Sequence, residues 1–181
     1  MIRHISSPDH IVLLSSASLE DSVTEVLESL IPESTPDEKQ ALHESIIGRE
    51  KLRPTVLSNG VAFPRAESCS VNNVVCGVGI SDVGIPYGDA IEVPVQTMFL
   101  SLYPEGGFKK FVPVLNNLVR FSQDPQKMAS LRKMSSQREA FRAIRDEAFP
   151  SGIRELVHSH LFLPFTNFRN RVETMVRVRH D

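Results

Sequence analysis

The stretch from Arg49 to Arg65 constrains the fold and chemistry of this chain more than any other segment. It predicts a helix end, a turn at Asn59-Gly60, a short apolar strand and a loop that begins at Pro64. The loop presents Arg65, whose guanidinium can bind a phosphate through two parallel hydrogen bonds. A protonated guanidinium has no free lone pair, so Arg65 cannot accept a phosphoryl group as an imidazole does. The segment therefore predicts a site that holds an anion without transferring it.

Length and composition indicate one globular domain with an appendage. The chain has 181 residues, of which 41% are hydrophobic and 23% charged. Its net charge of -2 argues against nucleic acid as a main partner. No apolar run approaches the roughly 18–20 residues of a membrane span, and residues 1–10 lack the apolar core of a signal peptide. We therefore expect a cytoplasmic protein with no membrane insertion.

Capping residues followed by apolar residues at helical spacing predict five helices. Their start signals lie at Ser18, Thr35, Phe111, Asp124 and Ser136. The first helix is expected over residues 19–31, and the second runs from residue 36 to about Gly48. Pro113 is compatible with the third helix if it lies in the first turn.

The middle of the chain predicts strands rather than helices. Short strands are expected over 10–14 and 61–63, a Val-rich strand over 74–80, and a strand buried on both faces over 93–103. Residues 82–89 contain Gly and Pro and predict a connecting loop. Helices on both sides of this run favour an α/β domain with one sheet covered on both faces. Residues 151–181 follow a Pro-Ser-Gly break, and their apolar stretch is expected to pack on the domain or on a second copy, which would form a homodimer.

Residues 49–65 resemble the active-site segment of enzyme IIA domains of the fructose/mannitol and nitrogen-regulatory type, from the bacterial sugar phosphotransferase system. The resemblance covers roughly residues 8–148. It is most specific in the Arg-Glu…Thr…Asn-Gly-Val-Ala-x-Pro run, in the strand that leads to Glu105, and in the helix between Phe111 and Asp124. It implies an α/β domain over residues 1–150, with a mixed sheet of about five strands flanked by helices on both faces, and a C-terminal extension over 151–181.

The same resemblance implies a degenerate active site. In the family, the residue after the Pro is a histidine that takes phosphate from a small carrier protein, and a second histidine beside it helps to stabilise the phosphoryl group. Arg65 and Phe111 stand at those two positions here. The candidate residues for binding an anion or a partner are Arg49, Thr55, Asn59, Gly60, Pro64, Arg65, Lys109 and Lys110.

Three functional hypotheses remain open at this point. The first is a regulatory module that docks to a protein partner, such as a phosphocarrier protein, a kinase or a transporter. The second is an active phosphotransferase component, in sugar uptake or nitrogen regulation, that accepts phosphate at Ser58 or Thr55. The third is a domain that belongs to a larger sensor or transport protein. None of them requires a cofactor, and whether the chain is an enzyme depends on which of the first two holds.

The remaining titratable residues give weaker signals. Taken alone, Arg49 and Glu50 are typical of a solvated helix end, and His43 is expected to face solvent in the second helix. His158 and His160 lack an evident third ligand, so no metal site is expected. The seven-residue spacing of Cys69 and Cys76 favours two buried thiols over a disulfide.

Overall fold

The computed structural model describes residues 4–88 and 91–149. Over these residues the helices are α1 (Leu19–Leu30), α2 (Pro36–Leu52), α3 (Phe108–Ser122), α4 (Pro125–Arg132) and α5 (Gln137–Ala148), and a 3-10 turn covers Pro8–His10. The strands are β1 (Ile11–Leu13), β2 (Val56–Leu57), β3 (Val61–Ala62), β4 (Arg65–Glu67), β5 (Val75–Ile85) and β6 (Val95–Tyr103). The predicted extension over 151–181 lies outside the described residues.

The six strands form one mixed sheet. Its order is β1-β5-β6-β3-β2, and β4 pairs with β6 beyond β3. The central pair, β5 and β6, is antiparallel, whereas β1 is parallel to β5, and β3 and β4 are parallel to β6. This arrangement confirms the predicted α/β domain with a mixed sheet of about five strands.

The sheet separates two hydrophobic clusters. Because successive side chains of a strand point to opposite faces, Met98 enters one cluster and Phe99 enters the other. The first cluster contains Val26 of α1 and Ile46 of α2, whereas α3, α4 and α5 contribute to the second. Helices therefore cover both faces of the sheet, as predicted.

Local capping fixes the starts of the first two helices where the sequence predicts them. Ser18 Oγ accepts a hydrogen bond from the Asp21 backbone N at 3.1 Å. Thr35 and Glu38 form a reciprocal capping box, with distances of 3.3 Å and 2.9 Å. Helix α2 continues past Gly48 to Leu52, because an interior glycine costs a helix only about 1 kcal/mol.

Two local predictions are wrong. Strand β5 extends to Ile85, through residues predicted to form a loop, because its pairing with β6 resumes after an irregularity that ends at Ile85 and Val95. Helix α3 begins at Phe108, so Pro113 lies in its second turn rather than its first. Since proline has no backbone N–H, the Lys109 carbonyl loses its intrahelical partner there.

Candidate functional site

The predicted site segment runs from the end of α2 to the start of β4. The β2–β3 hairpin turns at Gly60, whose φ of 73° suits glycine. The Gly60 carbonyl accepts a hydrogen bond from Gln96 N at 2.9 Å, which attaches the turn to β6. Further along, Arg65 lies opposite Ser101 of β6. Arg65 is therefore at the carboxyl end of β6, where the chain leaves the sheet toward α3.

Asn59 holds the hairpin turn against the helical layer. Its side-chain amide donates a hydrogen bond to the Ser122 carbonyl at 2.7 Å, and Arg132 Nη2 donates to the Asn59 carbonyl at 2.7 Å. Six residues separate Asn59 from Arg65, or roughly 20 Å of extended chain. Asn59 and Gly60 therefore support the segment from a distance instead of lining the space around Arg65.

A buried carboxylate joins three segments behind the site. Glu50 is 1% exposed and accepts hydrogen bonds from Thr55 N at 2.8 Å and from the Tyr87 hydroxyl at 3.1 Å. Thr55 Oγ1 lies 2.8 Å from both Glu50 oxygens and 2.9 Å from the Phe63 carbonyl oxygen. Burial, with the Glu50 charge in addition, raises the pKa of Tyr87. The prediction of a solvated helix end is therefore wrong for Glu50 and correct for Arg49, which is exposed.

The two positions that the resemblance assigns to histidines are in contact with each other. The Arg65 guanidinium carbon lies 5.9 Å from the centroid of the Phe111 ring, within the range of a cation–π interaction. The same ring stacks on Tyr103 at 4.9 Å with an interplanar angle of 13°, and it contacts Phe108 at 6.1 Å. Phe111 is 1% exposed and belongs to the hydrophobic cluster under α3. The buried Phe111 ring therefore occupies the position that the resemblance assigns to the second histidine.

The surroundings of Arg65 disfavour its positive charge. Burial lowers the pKa of Arg65, repulsion from Arg49 lowers it further, and the Glu50 charge opposes both effects. Within residues 4–88 and 91–149, neither arginine lies within 4.0 Å of a carboxylate oxygen. Lys109 and Lys110 are exposed in the first turn of α3, which begins five residues after β6 ends and also contains Phe111, the ring in contact with Arg65. The arrangement can attract an anionic group, and none of the three histidines in the described part of the chain belongs to it.

Pro64 belongs to the framework of the site. It is buried, and its carbonyl accepts a hydrogen bond from Ser101 N at 3.0 Å. Of the predicted residues, the structure thus brings Arg49, Arg65 and Phe111 together with the first turn of α3. Thr55 and Pro64 hold the segment in place behind them.

His4 is in the same row of the sheet as Arg65 but is separated from it by two strands. The His4 carbonyl accepts a hydrogen bond from Cys76 N at 2.7 Å, and Cys76 pairs with Ser101, which pairs with Arg65. Three strand spacings correspond to roughly 14 Å. The His4 ring packs on Phe149 at 5.4 Å, so it does not reach the site.

The other two histidines of the described part also lie elsewhere. His10 ends the 3-10 turn that leads into β1, and burial lowers the pKa of its imidazole. His43 is half-buried, and its Nε2 donates to the Glu20 carbonyl of α1 at 3.0 Å, which corrects the prediction that it faces solvent. His158, His160 and His180 lie outside the described residues.

The sequence did not identify Glu50 and Tyr87 as parts of the site framework. Glu50 follows Ile46 and Ile47 by four and three residues, so helical periodicity is the signal that could have placed it on the buried face. No local pattern identified Tyr87, because its partner is far along the chain. Both cysteines are free thiols, as predicted, but the expected burial is wrong for Cys69, which is exposed, and correct for Cys76. Burial raises the pKa of Cys76 to about 12.

The described residues contain neither a candidate metal centre nor a candidate membrane-spanning helix. There, no group of three or more His, Cys, Asp or Glu side chains is arranged to hold a metal ion. In the same part of the chain, none of the helices combines the length and the apolar content required to span a bilayer.

Comparisons with known proteins agree with the resemblance. Residues 4–147 match the family described as phosphoenolpyruvate-dependent sugar phosphotransferase system, EIIA 2. A nitrogen regulatory protein homolog of Haemophilus influenzae is 30% identical over 139 residues, which cover 75% of this chain and 85% of that protein.

Solved structures share the fold. The nitrogen regulatory protein IIA-Ntr of Neisseria meningitidis superposes with a TM-score of 0.68 at 25% identity, covering 76% of this chain and 94% of that one. The mannitol enzyme IIA of Escherichia coli, solved in complex with phosphorylated enzyme IIB, gives a TM-score of 0.61 at 18% identity, over 77% and 96% of the two chains. The chain therefore belongs to the EIIA 2 family of the phosphoenolpyruvate-dependent sugar phosphotransferase system, in its fructose, mannitol and nitrogen-regulatory group.

Proposed function

We propose that the protein is a regulatory protein-binding module that has the enzyme IIA fold but does not carry a phosphoryl group. The observation on which this rests is the contact between Arg65 and Phe111, 5.9 Å from guanidinium carbon to ring centroid. Phosphoryl acceptance requires a nucleophilic lone pair. Neither a guanidinium nor a phenyl ring offers one, whereas a guanidinium binds anions well.

The alternative is an active phosphotransferase component that is phosphorylated at Thr55 or Ser58. Thr55 is 7% exposed, and its hydroxyl is enclosed by Glu50 and the Phe63 carbonyl, which disfavours attack on a donor. Ser58 is exposed, but it belongs to the distant hairpin turn. A phosphoester at either residue would also be a poor donor for onward transfer. These points favour the regulatory module.

The proposed docking face comprises Arg49, Arg65 and the first turn of α3. The mannitol enzyme IIA of Escherichia coli forms a complex with phosphorylated enzyme IIB, and relatives of this chain carry the name nitrogen regulatory protein. By analogy, the partner is a protein, of the phosphocarrier, kinase or transporter class. We place this interaction in the cytoplasm, and residues 151–181 are proposed to pack on the domain or on a second copy.

Phosphoryl acceptance is directly measurable. The full-length protein is incubated with labelled phosphoenolpyruvate, the general phosphotransferase enzyme and the phosphocarrier protein. We expect no labelling of this chain, while the Haemophilus influenzae relative, treated in the same way, serves as a positive control. Stoichiometric labelling that is lost in Ser58→Ala or Thr55→Val would establish the alternative instead.

A matched variant examines the two substituted positions. Arg65→His supplies one imidazole but leaves Phe111 beside it. We expect this variant to accept little phosphate, and Arg65→His combined with Phe111→His to accept more, with circular dichroism confirming that both fold. Full labelling of the single variant would show that the second position is unimportant.

A further inference from the structure

An exposed aromatic ring belongs to the proposed docking face. Phe108, the first residue of α3, is 39% exposed although it is large and apolar. Its ring contacts Tyr103 at 6.0 Å and Phe111 at 6.1 Å, which limits its freedom. Aromatic and arginine side chains held in this way are the residues that most often dominate the energy of a protein interface.

The residues around this ring are mainly cationic. We define the cationic patch as Arg49, Arg65, Phe108, Lys109 and Lys110. In the described part of the chain, none of its four cations forms an ion pair with Asp or Glu. The exposed acids nearest in sequence or in the sheet are Glu67 and Glu105, so the cations of the patch outnumber them.

The excess of positive charge extends along α3, whereas α1 has an excess of negative charge. Helix α3 has one further charged residue, Arg120, and no acidic residue, whereas α1 contains four acidic residues and no basic one. These helices cover opposite faces of the sheet. The positive charge is therefore local, on a chain with a net charge of -2. Nucleic acid and anionic membranes favour proteins with broad basic surfaces, so a local patch fits a protein better.

Building on the proposed function, we propose that the partner presents an acidic protein surface around an apolar contact. Phe108 packs against the apolar residues of that surface, and Arg49, Arg65, Lys109 and Lys110 lie opposite its Asp and Glu side chains. Complementary charges of this kind accelerate association and exclude partners of the wrong sign. The patch thus determines which proteins the module binds, independently of any phosphoryl group.

The proposed acidic and apolar character of the partner can be tested by peptide selection. A random peptide library displayed on phage is selected on the immobilised protein. We expect the selected peptides to contain several Asp or Glu residues flanking an apolar or aromatic residue. The affinity of the best synthetic peptide is then measured at low and at high NaCl. Affinity should fall steeply with salt, because exposed charge pairs are screened.

Charge-reversal variants test whether the cationic patch is the surface that binds the peptide. Lys109→Glu combined with Lys110→Glu should lower the affinity for the peptide roughly tenfold or more, and Phe108→Ala should lower it by a similar factor. Arg138→Glu is the matched control, since the neighbouring Gln137 donates a hydrogen bond to the Ile11 carbonyl of β1. Strand β1 lies three strand spacings, or roughly 14 Å, from Arg65 of β4. Arg138→Glu should leave the affinity unchanged.

Three outcomes would overturn the proposal: no selected peptides, peptides without an acidic excess, or equal weakening by Arg138→Glu. Displacement of the peptide by a short DNA duplex or by anionic vesicles that bind more tightly would assign the patch to another class of macromolecule. Phosphate labelling does not enter these measurements. A failure here therefore leaves the proposed lack of phosphotransfer untouched, and the converse also holds.

Discussion

Arg65 and Arg49 illustrate how a site can favour an anion through unfavourable local contacts. The two guanidinium groups repel each other, and burial disfavours the charge of Arg65. The Phe111 ring compensates for part of this cost, because a partly buried cation–π contact contributes about 1–2 kcal/mol. An anion that approaches both groups would relieve the repulsion and supply charged hydrogen bonds. Such a site should bind sulfate, phosphate or a phosphopeptide with measurable affinity.

We predict that Arg65→Ala weakens the binding of sulfate, phosphate or a phosphopeptide. A hydrogen bond to a charged group contributes about 1.5–3 kcal/mol, so the affinity should fall roughly tenfold or more. Isothermal titration calorimetry measures the change, with Arg138→Ala as the control for loss of one exposed positive charge. Equal affinities of Arg65→Ala and the wild-type protein would contradict the anion site.

The carboxylate of Glu50 is expected to matter for stability more than any exposed acid of α2. We predict that Glu50→Ala lowers the free energy of unfolding by about 2–4 kcal/mol, because it leaves Thr55 and Tyr87 without their acceptor. Glu50→Gln should cost less, since the amide oxygen can still accept one of those bonds. Urea denaturation measures both. Glu44→Ala, at an exposed position of the same helix, should change the stability by less than about 0.5 kcal/mol.

At the scale of elements, the β2–β3 hairpin depends on one backbone conformation. Gly60 has a φ of 73°, and a Cβ added there would lie 2.7 Å from the Pro94 carbonyl oxygen. Gly106 has a similar φ of 66°, but a Cβ there would meet nothing within 4 Å. The two glycines therefore separate the cost of the conformation from the cost of the clash.

We predict that Gly60→Ala destabilises the domain more than Gly106→Ala. The left-handed conformation costs a residue with a Cβ about 1 kcal/mol at either position. The contact with the Pro94 carbonyl adds a cost of similar or larger size at Gly60 alone. Chemical denaturation of both variants measures the difference, and equal destabilisation would mean that the hairpin shifts to relieve the contact.

Local signals were sufficient to predict most elements. The capping residues Ser18 and Thr35 identified the starts of α1 and α2, because capping depends on neighbours in sequence. The extension of β5 to Ile85 depends on pairing with Val95, which no window of sequence contains. Gly77 lies inside this strand and allows α1 to pack closely, since a Cβ there would lie 2.7 Å from Val26 Cγ1.

The candidate site was predictable to a similar degree. The sequence alone shows Arg at position 65 and Phe at position 111. Neither side chain can accept a phosphoryl group, so this part of the site's chemistry was predictable. The contact between Arg65 and Phe111 depends on the path of β4, the exit from β6 and the start of α3 together. Tyr87 joins Glu50 across 37 residues. Such partners are fixed by tertiary packing and leave no local pattern.

For the molecule as a whole, acid should weaken the fold. Burial lowers the pKa of His4 and His10 below the ordinary value of 6.5. Below pH 6.5 the unfolded chain therefore binds more protons than the folded one, and stability is lost as the pH falls through the folded pKa values. We predict a smaller free energy of unfolding at about pH 5 than at about pH 7.5, measured by urea denaturation.

Substitution of both histidines provides the control. His4→Gln combined with His10→Gln removes the two titrating groups, so its free energy of unfolding should depend less on pH over the same interval. An unchanged pH dependence in that variant would assign the effect to other groups.

The separation of the two hydrophobic clusters by the sheet has a practical consequence for optical experiments. Binding at α3 alters the surroundings of one cluster, while α1 lies over the other. After replacement of the exposed Cys69, a dye attached at Glu28→Cys of α1 would provide an internal reference, and a spectrally distinct dye at Glu105→Cys, just before α3, would report occupancy. The domain can thus serve as its own ratiometric sensor for the partner that it captures.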